Sequence, residues 1–244
     1  MIIYYFILLT MMMMSSSAVT TTVSLEQALR SVVRLPSSPA FVLGSSSSSR
    51  QQLLRATGAI FETFAPDIDE KAIGDRANGD AVRLVREVAL AKADALVSQF
   101  RDDDNRILLT GDQVVTYDGA VREKPENIEE CRAFIRSYSE KPCATVGAVC
   151  LHSLRTGKRV IGVHHGSVHF KQLPEALVDD LLAKDGPALL RCAGGLMIEH
   201  PLVAPYILDV QGGVDSIMGL STKLVKELLD ELLLLDKTPA AASS

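Results

Sequence analysis

Cysteine is scarce in this 244-residue chain, and none of the four falls in a C-x-x-C pair. Cys131, Cys143, Cys150 and Cys192 therefore read as buried free thiols of a reducing compartment, not as a disulfide framework or a metal clasp. Histidine offers no metal cluster either. His165 and His169 would share one face of a strand, but no cysteine or carboxylate ligand lies close to them in sequence. Positive charge is not in excess, since 25 Lys and Arg against 30 Asp and Glu leave a net charge of −5. Bulk nucleic-acid binding needs clustered cations to neutralise phosphates, so it is not expected. A small anionic ligand held by a few focused cations stays open. No Gly-Lys-Ser/Thr follows the first glycine loop, which excludes a P-loop. No G-x-S-x-G elbow is present, which argues against a serine hydrolase. The chain carries no internal repeat.

What is present is an ordinary globular composition, 47% hydrophobic and 23% charged, on a chain long enough for one large α/β domain or two lobes with a real core. Residues 1–36 are set apart from the fold. Met1 to Met14 is apolar and nearly uncharged, and Ser15-Ser16-Ser17-Ala18 follows it, as after a signal-peptide core. The basic n-region is missing and the stretch is short for a membrane span. A cytoplasmic location without stable membrane insertion is expected. Organelle targeting or secretion through residues 1–36 is the alternative, and a misassigned start codon accounts for the stretch equally well. The domain is expected over 37–236, with a disordered tail at 237–244.

The organising stretch is Phe41 to Leu54. An apolar run stops at Gly44, passes five serines and meets Arg50 before Leu53-Leu54, which reads as strand, small-residue loop and first helical turn. Such a loop aims backbone N–H groups, hydroxyls and a helix dipole at an anion. A serine-rich linker is the competing reading, opposed by the apolar runs on both flanks. A helix closed by Thr57-Gly58 follows, then a strand over 60–64 and an acidic loop, Pro66 to Lys71. The spacing predicts a long helix over 80–100 with an inner stripe of Val82, Val85, Ala89, Lys92 and Leu96. Lys92 on that stripe is either snorkelling at its edge or reaching an anion in a cleft.

Ile107-Leu108-Leu109 is a buried-type strand leading into Thr110-Gly111-Asp112-Gln113-Val114-Val115. Such folds place ligands where a strand gives way to loop, and a buried Asp112 needs a metal or cationic partner. Asp118-Gly119 signals a hairpin whose return strand brings Arg122-Glu123-Lys124-Pro125 back toward Asp112. Asn127 with Glu130 makes a capping pair for a helix to about Tyr138. A second β-region spans 145–152 and 159–170, and a helix opens at Leu173-Pro174-Glu175 and ends near Lys184. Cys192 to Gly195 and Gly212 to Leu220 are small-residue stretches, and Ser221 caps a last apolar helix.

In this order and spacing, the serine-Arg loop, Gly111-Asp112-Gln113-Val114-Val115, Glu123-Lys124-Pro125, Ala193-Gly194-Gly195 and Met218-Gly219-Leu220 resemble the Maf family, from about Ala40 to Leu235. The resemblance implies an elongated α/β fold, a mixed sheet in two lobes with a central cleft, similar to inosine triphosphatases. It implies a nucleoside triphosphate pyrophosphatase dependent on a divalent cation, Mg²⁺ or Mn²⁺, and a homodimer remains open. By likeness to the family's motifs, Ser45, Arg50, Glu70, Lys92 and Lys124 bind substrate, Asp112 is the proton acceptor, and Asp112 and Glu70 hold the metal. Ser49 stands where the family usually has a first arginine, Gln113 where Thr is commonest, and Glu199 where Gln is usual. These three features resemble the branch that prefers 7-methyl-GTP. The alternatives are a dTTP/UTP pyrophosphatase and a non-catalytic nucleotide-binding division regulator. Ser221 replaces a common Pro, which alters a helix start and leaves the chemistry alone.

Overall fold

Phe41–Gly44 (β1) is buried along its whole length, as a run without polar interruption requires when both faces of a strand are covered. In this computed structural model, which describes residue 29 and residues 32–76, 80–101 and 104–237, β1 pairs in parallel with Phe61–Thr63 (β2) and Ile107–Tyr117 (β3). Parallel neighbours need crossovers, which helices normally provide. Ser48–Ala56 (α1) connects β1 to β2, and Ala81–Val97 (α2) connects β2 to β3. The remaining pairings are antiparallel. Ala120–Arg122 (β4) returns on β3, and Cys143–Ser153 (β5), Arg159–Phe170 (β6) and Ile207–Gln211 (β7) extend the sheet in the order β2-β1-β3-β5-β6-β7. The fold is mixed α/β.

Alternation along the strands divides the core in two. Val42, Leu108, Val114, Val146 and Ala148 pack under α2 with Leu84, Val85, Val88 and Ala89. Phe41, Leu43, Leu109, Val115 and Val149 face the other way. There they meet α1 and the helices Ile128–Ser137 (α3), Glu175–Leu189 (α4) and Thr222–Lys237 (α6) through Leu53, Ile135, Leu181 and Leu229. A short helix, Val214–Ile217 (α5), lies on the same side.

Most caps follow their sequence signals. Asp80 accepts from the Arg83 N–H at 2.9 Å, Asn127 from the Glu130 N–H at 2.9 Å, and Ser221 Oγ from the Leu224 N–H at 3.3 Å. Glu130 reaches back one residue further than a capping box does, to the N–H of Glu126. Asp118 and Gly119 both take positive φ, 51° and 82°, as the two-residue turn between β3 and β4 requires. The helix expected to end near Lys184 runs on through Gly186-Pro187 to Leu189, because only the last turn loses a backbone donor to the proline. Val82 departs from its expected place on the α2 stripe and is 38% exposed; Ala81 and Leu84 take the buried face instead. The apolar N-terminal stretch with its targeting reading, Asp102-Asp103 and the tail from 238 lie outside the described residues. Among the described residues no helix is long and apolar enough to cross a membrane.

Candidate active site

Asp112 does not stand where a strand gives way to loop, because β3 continues through it to Tyr117. What ends there is β1. Its last pairing with β3 is Gly44↔Thr110, and β4 joins only at Val115↔Arg122. Between them Gly111–Val114 have no strand partner on that edge among the described residues, while β5 holds them extended from the other side, Gly111↔Val149 through Val114↔Val146. This leaves a gap in the sheet between β1 and β4. Asp112 faces the α2 side and Gln113 the opposite side, as neighbours on a strand must.

Lys92 enters the gap from α2. Its ammonium is 3.0 Å from Asp112 Oδ1 and 2.9 Å from Glu70 Oε2, with the carbonyl of Gly111 at 3.5 Å. Lys92 is buried, 5% exposed, so this is not a snorkelling lysine; both ways of leaving the apolar stripe had been open in the sequence. Taking an ammonium out of water is unfavourable by several kcal/mol unless carboxylates meet it. Mg²⁺ typically takes one or two protein carboxylates and completes its shell with water and phosphate oxygens. Glu70 and Asp112 fit that role, although among the described residues no group of three His, Cys, Asp or Glu side chains could hold a metal alone.

Arg50 approaches the gap from the opposite core, on the loop and helix that follow β1. Ser47 caps α1 by accepting the Arg50 N–H at 3.4 Å. Buried Ser45 accepts from the Ser47 N–H at 3.2 Å and from Arg50 Nη1 at 3.4 Å, and Arg50 Nε donates to the carbonyl of Gly219 at 2.9 Å. Burial pushes the guanidinium down from its ordinary value, while the Asp112 and Glu70 carboxylates oppose that shift. Arg50, Asp112 and Glu70 thus share one electrostatic neighbourhood. Ser49 lies in the first turn of α1 beside Arg50.

A residue that sequence reasoning missed organises the acidic loop. Arg76 grips Glu123 through Nε at 2.5 Å and Nη2 at 3.2 Å. The same fork takes the carbonyls of Glu70 at 2.7 Å, Ile73 at 2.6 Å and Lys71 at 3.1 Å. It lashes the short turn Glu70–Ala72 to the strand exit after β4, which sets where the Glu70 carboxylate can stand. No periodicity marks Arg76, and a cation six residues past Glu70 was the only available signal.

The segment after β4 divides its side chains. Arg122, expected to return toward Asp112, instead lies over the Tyr117 ring at 4.0 Å and donates to Ser137 Oγ. The carbonyl of Glu123 accepts from the Gly194 N–H, and Tyr138 Oη donates to the Gly194 carbonyl, so the Ala193–Gly195 turn docks on the Glu123-Lys124-Pro125 motif. Lys124 is exposed and makes no ion pair among the described residues. Its field and that of Glu199 both reach the Cys192 thiol. Burial pushes the Glu199 carboxyl up, and Glu199 does not join the Lys92 cluster. Gln113 Nε2 donates to the Ile217 carbonyl at 2.8 Å. Ser45, Arg50, Glu70, Lys92 and Asp112 therefore converge, Lys124 stands exposed on the segment after β4, and Ser49, Gln113 and Glu199 lie outside the Lys92 cluster.

A family model described as Maf-like protein matches residues 40–232. A 7-methyl-GTP pyrophosphatase of Dictyostelium discoideum is 37% identical over 201 residues, covering 80% of this chain and 98% of the relative. A dTTP/UTP pyrophosphatase of Thermotoga maritima is 30% identical over 190 residues, covering 78% and 88%. A 7-methyl-GTP pyrophosphatase of Pseudomonas aeruginosa is 29% identical over 194 residues, covering 79% and 97%.

Proposed function

The chain belongs to the Maf-like family, and on that premise we propose that it hydrolyses a nucleoside triphosphate to the monophosphate and pyrophosphate. The observation that carries the reading is the buried Lys92 ammonium holding Glu70 and Asp112 together within the field of Arg50. A binder of nucleotides has no need of a proton acceptor in its phosphate site. A hydrolase does, because water must lose a proton as it attacks.

The roles follow from charge. Arg50, Lys124 and the Ser45 hydroxyl bind the phosphate chain and offset its charge, which otherwise turns away a nucleophile. Lys92 takes Asp112 Oδ1, which leaves Oδ2 to orient a water and accept its proton. The oxygen of that water bonds to the α-phosphorus, the bond from that phosphorus to the bridging oxygen breaks, and pyrophosphate leaves with the bond's electron pair. Glu70 and Asp112 would hold a divalent cation, Mg²⁺ or Mn²⁺, which offsets phosphate charge when bound.

For the nucleobase we propose 7-methylguanine. Ser49, Gln113 and Glu199 support it, as do the names of the Dictyostelium and Pseudomonas relatives. The 7-methylguanine ring is cationic, and a carboxyl whose burial disfavours ionisation, as in Glu199, gains most from a cation beside it. The test is pyrophosphate release with Mg²⁺ from 7-methyl-GTP, CTP, UTP and dTTP side by side. A higher kcat/KM on 7-methyl-GTP is expected. A clear preference for dTTP or UTP overturns the base assignment, and recovery of every nucleotide intact overturns the hydrolysis.

A further inference from the structure

Among the described residues, four buried polar side-chain atoms have no hydrogen-bond partner: Gln113 Oε1, Thr145 Oγ1, His164 Nδ1 and His164 Nε2. They are not scattered. Strand register puts Gln113, Gly147 and His164 in one row across β3, β5 and β6, and Thr145 lies two residues along β5, opposite Gly166. Gln113, Thr145 and His164 all point to the face covered by α5 and α6. Gly147 leaves a notch in that row, and the His164 ring lies across it. A Cβ built on Gly147 would overlap the imidazole and stand 3.2 Å from Gln113 Oε1, so the amide oxygen and the ring converge on one spot. Each buried polar atom left unpaired is unfavourable by roughly 1–3 kcal/mol. A patch that concentrates four of them is unlike a core that merely tolerates a histidine.

The chemistry of the two groups matches. Gln113 Nε2 is committed to the Ile217 carbonyl, which turns Oε1, an acceptor only, toward the notch. Burial, reinforced by the nearby Arg50 cation, pushes the His164 imidazole down to about 4. It is therefore neutral near pH 7 and carries one N–H to donate. Ile217 also belongs to the segment whose Gly219 carbonyl holds Arg50 Nε, so the amide and the phosphate-binding guanidinium share a support.

We infer that His164 is a positioning residue for substrate choice: over the notch at Gly147 it fixes the amide of Gln113, and through Gln113 it sets which nucleobase the cleft prefers. The inference rests on the pyrophosphatase reading and on the role given there to Gln113. Among the described residues, His164 and Thr145 carry the other buried side-chain atoms without a hydrogen-bond partner.

The experiment is a cycle of His164→Leu, Gln113→Thr and the double variant, read as the ratio of kcat/KM on 7-methyl-GTP to that on UTP. His164→Leu leaves Gln113 Oε1 beside a hydrocarbon instead of a polar ring and is expected to move the ratio by about tenfold, while His164→Gln, which keeps a donor, holds it near wild type. In the Gln113→Thr background the same His164→Leu change is expected to leave the ratio within about twofold, because its effect runs through the missing amide. A ratio unmoved by His164→Leu overturns the inference, as does an equal shift with and without Gln113. The imidazole nitrogen resonances of the intact protein give a second reading that needs no turnover and no folded leucine variant. One neutral tautomer with a slowly exchanging N–H, lost in Gln113→Thr, supports the contact; an unchanged ring spectrum in Gln113→Thr contradicts it. If wild type cleaves no nucleotide, the pyrophosphatase reading fails, and the ring spectrum still decides the contact.

Discussion

His164 also carries a stability consequence that can be separated from the positioning role proposed for it. Its folded value near 4 lies below the ordinary 6.5, so on acidification the unfolded chain takes the proton first. The stabilisation is whole above pH 6.5 and is lost as pH falls from 6.5 toward 4, an effect of order 3 kcal/mol for a shift of this size. Urea unfolding at pH 7 and pH 4.5 should therefore show a steeper acid loss in wild type than in His164→Gln. Equal losses would show that the imidazole is not held neutral. Gly147→Ala makes the complementary case from the backbone side. A methyl group there meets the imidazole, and overpacking of this kind typically costs ~1–3 kcal/mol. A clear fall in Tm is expected, and an unchanged Tm would mean that the notch is roomier than the contacts imply.

At the scale of elements, the gap in the sheet is a mismatch of strand lengths. β3 has eleven residues and β1 four, and the open edge at Gly111–Val114 follows from that difference. Sequence patterning detected β1, the serine loop, α1 and the Asp-Gly hairpin, because each carries a local signal: an apolar run, small residues, Leu53-Leu54 and two positive-φ positions. It did not detect that β3 runs unbroken through Asp112, because an acid and an amide interrupt the apolar pattern, and only the β5 ladder keeps them extended. It could place Lys92 on a buried stripe but not choose its partner, since Glu70 is brought in by Arg76 from a loop without periodicity. Arg76→Ala should free the Glu70–Ala72 turn from Glu123 and lower kcat/KM by tenfold or more with little change in Tm. Arg76→Lys should not restore it, because an ammonium cannot reproduce a fork that holds a carboxylate and three carbonyls. Full activity in Arg76→Ala would remove the turn from the site.

Taken whole, the molecule buries its reactive sulfur. All four cysteines are free, as the sparse cysteine pattern implied, but only Cys131, Cys143 and Cys150 are buried while Cys192 is half-buried, and burial pushes the three buried thiols up to about 11, 12 and 11. At pH 8 they should react with a thiol reagent only as fast as the protein unfolds, and rapid labelling of two or more would contradict the packing of the sheet. The same sheet holds Arg50 in one core and the buried Lys92 in the other, with Asp112 on the strand between them. The measurement that bears most directly on this arrangement is pyrophosphate release from 7-methyl-GTP by Asp112→Asn beside wild type, with Tm recorded for both. A general base is typically worth ~10²–10⁴-fold, so the variant should keep its fold and lose at least a hundredfold in kcat, whereas near-wild-type turnover by a folded Asp112→Asn protein would contradict the account.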